Sequence, residues 1–401
     1  MSALEIALSV IATSLVLLIA AFLFFASKKN MLGWLPGYVA SMLRPVPAHA
    51  GTKHVMFCFV DHYEPRWGRE VDMQTERQRV QAWVEGYPAM AEAFADSDGC
   101  HPKHTFFFPI DEYEPEHLEA LRGICVQGLG EIEVHLHHDD DTAENLTTTL
   151  RDFAQEIHDR FGALSIDPLT GDLRYAFIHG NWVLDNSAHN GRWCGVNNEL
   201  IVLRDTGCYA DFTFPAAPHD SQPQQINSLY YATDDPDKPK SHNRGTPVAV
   251  GKAASGDLLL ITGPLTLNWK NRKLGFMPRI ENSDIRSSNP PTPDRVDAWV
   301  KTGIHVQGRP DWIFVKVHTH GAPEREAASL LGDPVKQMHA HLRDQYNDGE
   351  KYALHYVSAR EMHNILKAAE AGHTGNPNEY RDFVLPRPHF HNPDNPVVSS
   401  D

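Results

Sequence analysis

Downstream of residue 54 the chain repeats one pattern: a short apolar run, an amphipathic stretch with helical spacing, then another apolar run. Strands that alternate with helices in this way pair in parallel and carry the helices on their faces, because a parallel neighbour needs a long crossover. The segment "HVMFCFVD" at 54–61 is β-branched and aromatic, too short for a typical helix, and reads as a buried strand. In the next stretch Val80, Trp83, Val84, Tyr87, Met90 and Phe94 recur at three- and four-residue spacing, which predicts one helix face. Pro88 is expected to kink or split that helix. Further strands are predicted in "HTFFFPI", "EIEVHL", "LRYAFIHG", "CYADFTFP" and "DWIFVKVHTHG", and a last strand and helix in "YALHYVSAREMHNILKAAEAG". Residues 216–294 break the pattern and read as an insertion over one end of the fold. Its apolar piece "DLLLITGPLTLNW" is expected to be a hairpin turning at Gly263 and Pro264. The tail from residue 375 is rich in Pro, Asn and His and is expected at the surface.

The strand ends carry the chemistry. The first closes in "VDHYEP", the third in "VHLHHDDD", the next in "IHGNWVLDN", then "ADFTFP", and the late strand in "VKVHTHG". One such residue is an ordinary cap or turn former, but five strand ends with Asp, His or Asn point to a shared opening. The run "GEIEVHLHHDDDT", with three histidines and three aspartates, reads either as a polar loop or as part of a metal site. Nitrogen and oxygen ligands of this kind suit zinc and other first-row metals. Lys316, His318 and His320 share one parity along their strand and can face the same side.

The N-terminus differs in kind. Residues 6–25 carry no charge over about the length a helix needs to cross a bilayer, so residues 1–30 read as a single-pass anchor, of the kind found in a bacterial inner membrane. A cleavable signal is the competing reading, but no basic segment precedes the apolar run, and the "AHA" at 48–50 lies far downstream. Lys28 and Lys29 after the span favour the cytoplasm for the main domain. Residues 31–50, with Trp34, Tyr38 and Arg44 among apolar residues, read as a membrane-interfacial segment or a plain linker. A net charge of −16 argues against a nucleic-acid partner. The five cysteines are scattered, with no C-x-x-C, and read as packing residues.

The order of motifs over residues 54–366 resembles the polysaccharide deacetylase family, also called the NodB-homology or carbohydrate esterase family 4 proteins. The resemblance implies a distorted (β/α) barrel, here residues 51–374, holding a divalent metal, usually zinc, and removing acetyl groups from N-acetylated sugars. Its first motif is an aspartate pair, the first acid serving as general base and the second as ligand. Asp61 fits the base, and the ligand is His62 or Glu64, although Asp61 itself can bind metal. The second motif carries two histidines four apart: His135 fits the first, Asp139 stands at the second, and His138 or His137 can substitute. The third motif's base-orienting arginine is replaced by Ile178, leaving Asn181, His179 or Arg192 to hold the base. The last motif's general acid is His318, with His320 as the alternative. Trp182, Trp193, Asp185 and Asn186 fit a sugar site, and the substrate-facing set is completed by Asn181, Asp211 and His320.

The leading expectation is therefore a membrane-anchored, metal-dependent deacetylase of an N-acetylated or lipid-linked glycan, with polysaccharide assembly machinery as a partner. One alternative is a glycosidase on a related barrel, with Asp61 paired to Asp139 or Asp211 as flanking carboxylates. The other is a catalytically degenerate barrel that binds glycan or scaffolds a polysaccharide assembly system.

Overall fold

A computed structural model describes residues 2–43 and 51–390; Arg44, the "AHA" at 48–50 and the end of the tail lie outside the described residues. The helices are α1 (Ala3–Lys28), α2 (Met31–Leu43), α3 (Met73–Ala91), α4 (Pro115–Val126), α5 (Ala143–Phe161), α6 (Glu199–Asp205), α7 (Pro293–Lys301), α8 (Glu324–Leu330), α9 (Asp333–Tyr346) and α10 (Ala359–Glu370). The strands are β1 (Lys53–His62), β2 (His104–Pro109), β3 (Gly130–Leu136), β4 (Ser165–Ile166), β5 (Leu173–His179), β6 (Cys208–Asp211), β7 (Leu229–Ala232), β8 (Thr246–Pro247), β9 (Leu258–Ile261), β10 (Thr266–Lys273), β11 (Met277–Glu281), β12 (Trp312–Thr319) and β13 (Tyr352–Val357).

The fold is mixed α/β. One sheet runs in the order β12-β1-β2-β3-β5-β6-β9-β7-β8, with β13 beside the first half of β1 and β4 beside β5. From β12 through β6 to β9 the pairing is parallel, as the alternating pattern predicts. Each parallel strand has apolar residues on both faces, because each face is covered. Val55, Phe57 and Phe59 of β1 join the core beneath α3, α4 and α5, whereas Met56, Cys58 and Val60 join a second core with Ile178, Phe314 and residues of α10. The second face also buries polar groups in pairs. Arg360 of α10 meets Glu131 at 2.8 Å, and Lys316 Nζ donates to the carbonyls of Phe212 and Phe214 at 2.7 and 2.6 Å.

Local sequence sets the helix limits. Asp72 caps α3 by accepting from Thr75 N at 2.8 Å, and α10 starts with a capping box of Ser358 and Glu361. Pro88 neither splits nor ends α3 at once: it lies in the last turn, and the helix stops three residues later at Ala91. The expected hairpin at Gly263 and Pro264 does not form. β9 pairs with β6 and β7, while β10 pairs with β11 in a separate two-stranded sheet. Gly263 N donates to Phe214 O at 2.9 Å, so the turn is tied to the main sheet and the two apolar halves part there.

α1 is long and apolar enough to span a membrane, and it is exposed along nearly its whole length. α2 follows at once. Its Trp34 and Tyr38, in a segment read from sequence as interfacial or as a plain linker, are buried with Ala217, Ile226 and Leu265, leaving Leu32, Val39, Met42 and Leu43 exposed. Asn30, between the two helices, donates from its side chain to Pro218 O at 2.8 Å. The tail also docks in part, since Leu385 is buried and its carbonyl accepts from Arg360 and Asn364 at 2.8 Å each.

Candidate metal centre

The alternation of β1, β3 and β12 decides which strand-end residues meet. On the face opposite the α3–α5 helices lie His62 at the end of β1, His135 on β3, and Lys316, His318 and His320 along and just after β12. Their intervening neighbours Ile313, Val315, Val317, Val134 and Leu136 belong to the helix-side core. The ligating atoms of His62, Glu64 and His135 all lie within 4.8 Å of one another. Glu64 Oε1 is 3.1 Å from His135 Nε2 and 3.2 Å from His137 Nε2. The His62 ring stacks on His320 at 4.5 Å and stands 4.9 Å from His135 and 6.4 Å from His318.

The donor set fits a divalent ion. His135 Nδ1 donates to Ile178 O at 2.7 Å, which turns its Nε2 toward Glu64 Oε1, 3.1 Å away. His62 Nε2 and Glu64 Oε2 are buried without a hydrogen-bond partner, as are His318 Nδ1 and His320 Nδ1. Burial opposes ionisation of Glu64, but hydrogen bonds from His135 and His137 outweigh it and hold the carboxyl well below the usual range. Two imidazoles and a carboxylate make a three-donor set that could hold a metal ion.

Beside this cluster lies a cavity of about 610 Å³, lined by His318, Asp284, Arg286, Trp182, Trp193 and Asn30 among others. Trp182 links cavity and cluster, with its ring 6.2 Å from His62 and 5.8 Å from His320. Asp284 Oδ1 stands 3.9 Å from His318 Nε2, while its Oδ2 pairs with Arg286 at 2.7 Å. Burial, then Lys316 and His320, holds His318 well below the ordinary imidazole range, so its ring is neutral at physiological pH.

The other residues singled out from sequence go elsewhere. Asp61 points to the opposite face of β1, where its carboxylate meets His104 Nε2 at 2.8 Å and accepts from Gly321 N at 2.6 Å. Asp139 is not among the atoms grouped with His135. It pairs with Arg192 and accepts from Trp193 N at 2.6 Å. His138 turns away from His135 and His137 and joins His179, Cys194 and Glu199. Asp211 is buried against Thr213 Oγ1 at 2.6 Å and burial pushes its carboxyl up to about 7; Asp185 is buried and accepts from Ser241 N at 2.5 Å. Asn181 is exposed in a left-handed turn at φ 56°. Asp284 and Arg286 were not anticipated, because "ENSDIRSS" in the irregular region has no period or motif. Backbone bonds from Ile285 N to His318 O and from His318 N to Ser283 O bring it to the end of β12. A third group, Asp96, Asp98 and His355, is already bonded internally: Asp96 pairs with Arg381 at 3.2 Å and Asp98 accepts from His355 at 2.6 Å.

No protein-family model matches the chain, and no curated protein matches it.

Proposed function

We propose that this protein is a membrane-anchored, zinc-dependent hydrolase that removes acetyl groups from an N-acetylated glycan, working at the mouth of a distorted (β/α) barrel. The observation that carries this reading is the three-donor set of His62, Glu64 and His135, with the unpartnered His62 Nε2, beside a cavity that His318 lines. His62, Glu64 and His135 would hold the zinc ion, which when bound would supply a Lewis acid for the amide carbonyl and lower the pKa of the attacking water. His318 is the proton carrier. Its neutral ring accepts the proton of the attacking water and returns it to the amide nitrogen as the C–N bond breaks, releasing acetate and a free amine. Asp284, 3.9 Å away, favours the imidazolium in between. The family pattern makes Asp61 the base, but both its oxygens are engaged, so we assign it a positioning role: through Gly321 N it fixes the chain beside His320.

The substrate reading rests on the cavity. Trp182 and Trp193 offer apolar ring faces and Asp284 and Arg286 polar edges, a combination that suits a pyranose. Asn30 lines the same cavity directly after the apolar helix, so a lipid-linked saccharide would reach the site from the bilayer. Lys28 and Lys29, just after the apolar run, favour the cytoplasmic side in this reading.

The test is acetate release from N-acetylated oligosaccharides by the detergent-purified full chain with zinc supplied. Release that drops by about 10²-fold or more in His318→Ala, with folding intact, supports the assignment. Unchanged release in that variant, or none from the wild type across short N-acetylated substrates, overturns it.

A further inference from the structure

The run that supplies His135 and His137 to the mouth sends His138 to a different place. There four side chains converge: His138, His179 just before the loop after β5, Cys194, and Glu199 at the start of α6. His138 Nε2 lies 2.9 Å from His179 Nε2 and 3.3 Å from Glu199 Oε1; His179 Nε2 is 3.5 Å from the same oxygen, and Cys194 Sγ is 3.4 Å from Glu199 Oε2.

The hydrogen bonds behind these atoms fix what faces inward. His138 Nδ1 is bonded to the Asp141 carboxylate at 3.0 Å and His179 Nδ1 to Gly180 O, so both outer nitrogens carry the protons. Two Nε2 lone pairs and a carboxylate oxygen therefore point at one another in a buried space, and such a set needs a cation. A single shared proton would join the two rings. That would leave Cys194 as a thiol donating to Glu199 Oε2 at 3.4 Å and Val196 O at 3.6 Å; its sulfur also receives N–H bonds from Asn186 at 3.3 Å and Val196 at 3.4 Å, which would hold a thiolate once a metal displaced the thiol proton. Zinc–nitrogen bonds of about 2.0–2.1 Å put tetrahedral donors roughly 3.3–3.4 Å apart, within the spread seen here.

We propose that His138, His179, Cys194 and Glu199 form a second metal site, closed and structural, that takes zinc. Its task is to fix the loops bordering the cavity. Residues 180–198 contain left-handed non-glycine turns at Asn181, Trp182, Asp185, Asn186 and Trp193, which cost backbone energy unless something holds them. Gly195 lets the loop close: at φ 102° a Cβ there would lie 2.5 Å from Asp141 N, and Asp141 N donates to Cys194 O at 2.9 Å. Cross-linking His138, His179, Cys194 and Glu199 anchors both ends of the loop that carries Trp182 and Trp193 to the cavity. This site stands or falls separately from the hydrolase reading.

The test uses the full chain purified in detergent and loaded with cobalt(II) in place of zinc. Cys194 supplies the one thiolate in either cluster, so the wild type should show a near-ultraviolet thiolate-to-cobalt charge-transfer band that persists in His135→Ala and disappears in Cys194→Ser. Metal analysis of the zinc form should find one equivalent fewer in Cys194→Ser or His179→Ala than in wild type. A folded wild type without the band, or a Cys194→Ser variant with undiminished metal, would overturn the proposal. Because the band is read on the wild type itself, a variant that fails to fold does not rescue the idea.

Discussion

The two histidine clusters draw on one short run, His135 for the first and His138 for the second, yet they differ in the number of donors and in what surrounds them. Around Glu64 there are three grouped donors, an imidazole nitrogen with no partner, and a cavity alongside. Around Glu199 there are four grouped donors, each backed by the loop that surrounds it; none of the donors of either cluster lines that cavity, but the Glu64 cluster adjoins it through His318 and Trp182, both next to His62. The strand-end alternation makes the division. His135 and His137 face one way and His138 the other, so a single sequence can serve an open centre and a closed one. An open set suits exchange of water and substrate, and a closed set suits permanence.

The largest expected effects separate the two by function. His135→Ala should lower acetate release by about 10²-fold or more with little change in the unfolding midpoint, since it removes a ligand from the open set and leaves the loops in place. His179→Ala should do the reverse in order of severity, with stability lost first and turnover falling only as Trp182 and Trp193 lose their positions. Thermal unfolding and single-turnover assays on both variants check this. Equal loss of stability in the two would mean that the clusters are one structural unit.

Chelation should sharpen the contrast. A competing chelator should strip the open centre first, with loss of turnover and little thermal shift, and the closed centre later, with a drop in midpoint. An ion present at a thousand times its Kd stabilises the folded state by about 4 kcal/mol, so the second step should be plain in a melting curve. Metal content, activity and midpoint followed together on one chelator titration would refute the division if all three fell in a single step.

A smaller effect tests how Asp61 acts. Asp61→Asn keeps an oxygen for Gly321 N and loses the carboxylate that meets His104. A positioning role predicts a loss clearly below the roughly 10²-fold expected of a general base, seen in kcat and with the pH profile otherwise unmoved. A loss as large as that of His318→Ala, together with a vanished acidic limb, would return Asp61 to the base.

Much of this was legible in the sequence, and the illegible parts have physical causes. The apolar runs of β1, β2, β3, β5 and β12 and the shared parity of Lys316, His318 and His320 follow from strand geometry alone. The side that Asp61 takes does not, because β1 is apolar at both parities: Val55 and Phe57 look no different from Met56 and Cys58 when both faces are buried. Cys194 read as a packing residue because nothing periodic joins it to His138, His179 and Glu199. Left-handed turns and the Gly195 contact make that junction. Asp284 was hidden for a similar reason, being placed by two backbone bonds to the end of β12 and not by a motif.

The smallest prediction uses a buried histidine that belongs to neither cluster. His339 of α9 bonds Tyr356 Oη at 2.9 Å through Nδ1, packs near Phe57 and Phe94, and is not among the grouped donors. Burial alone pushes it down to about 3 from an ordinary value of 6.5. Between those values the unfolded chain takes a proton that the folded chain refuses, so the stability is fully present above pH 6.5 and is lost as the pH falls toward 3. One such proton contributes a slope of at most about 1.4 kcal/mol per pH unit. The two clusters also weaken in acid, because protons compete with an ion for imidazole, but that part vanishes once the ion is removed. With chelator present, the midpoint of His339→Phe should therefore fall less steeply between pH 6.5 and 5 than that of the wild type, whatever the offset between the two curves. Parallel curves in chelator would show that His339 contributes nothing, and that the acid sensitivity arises elsewhere in the fold.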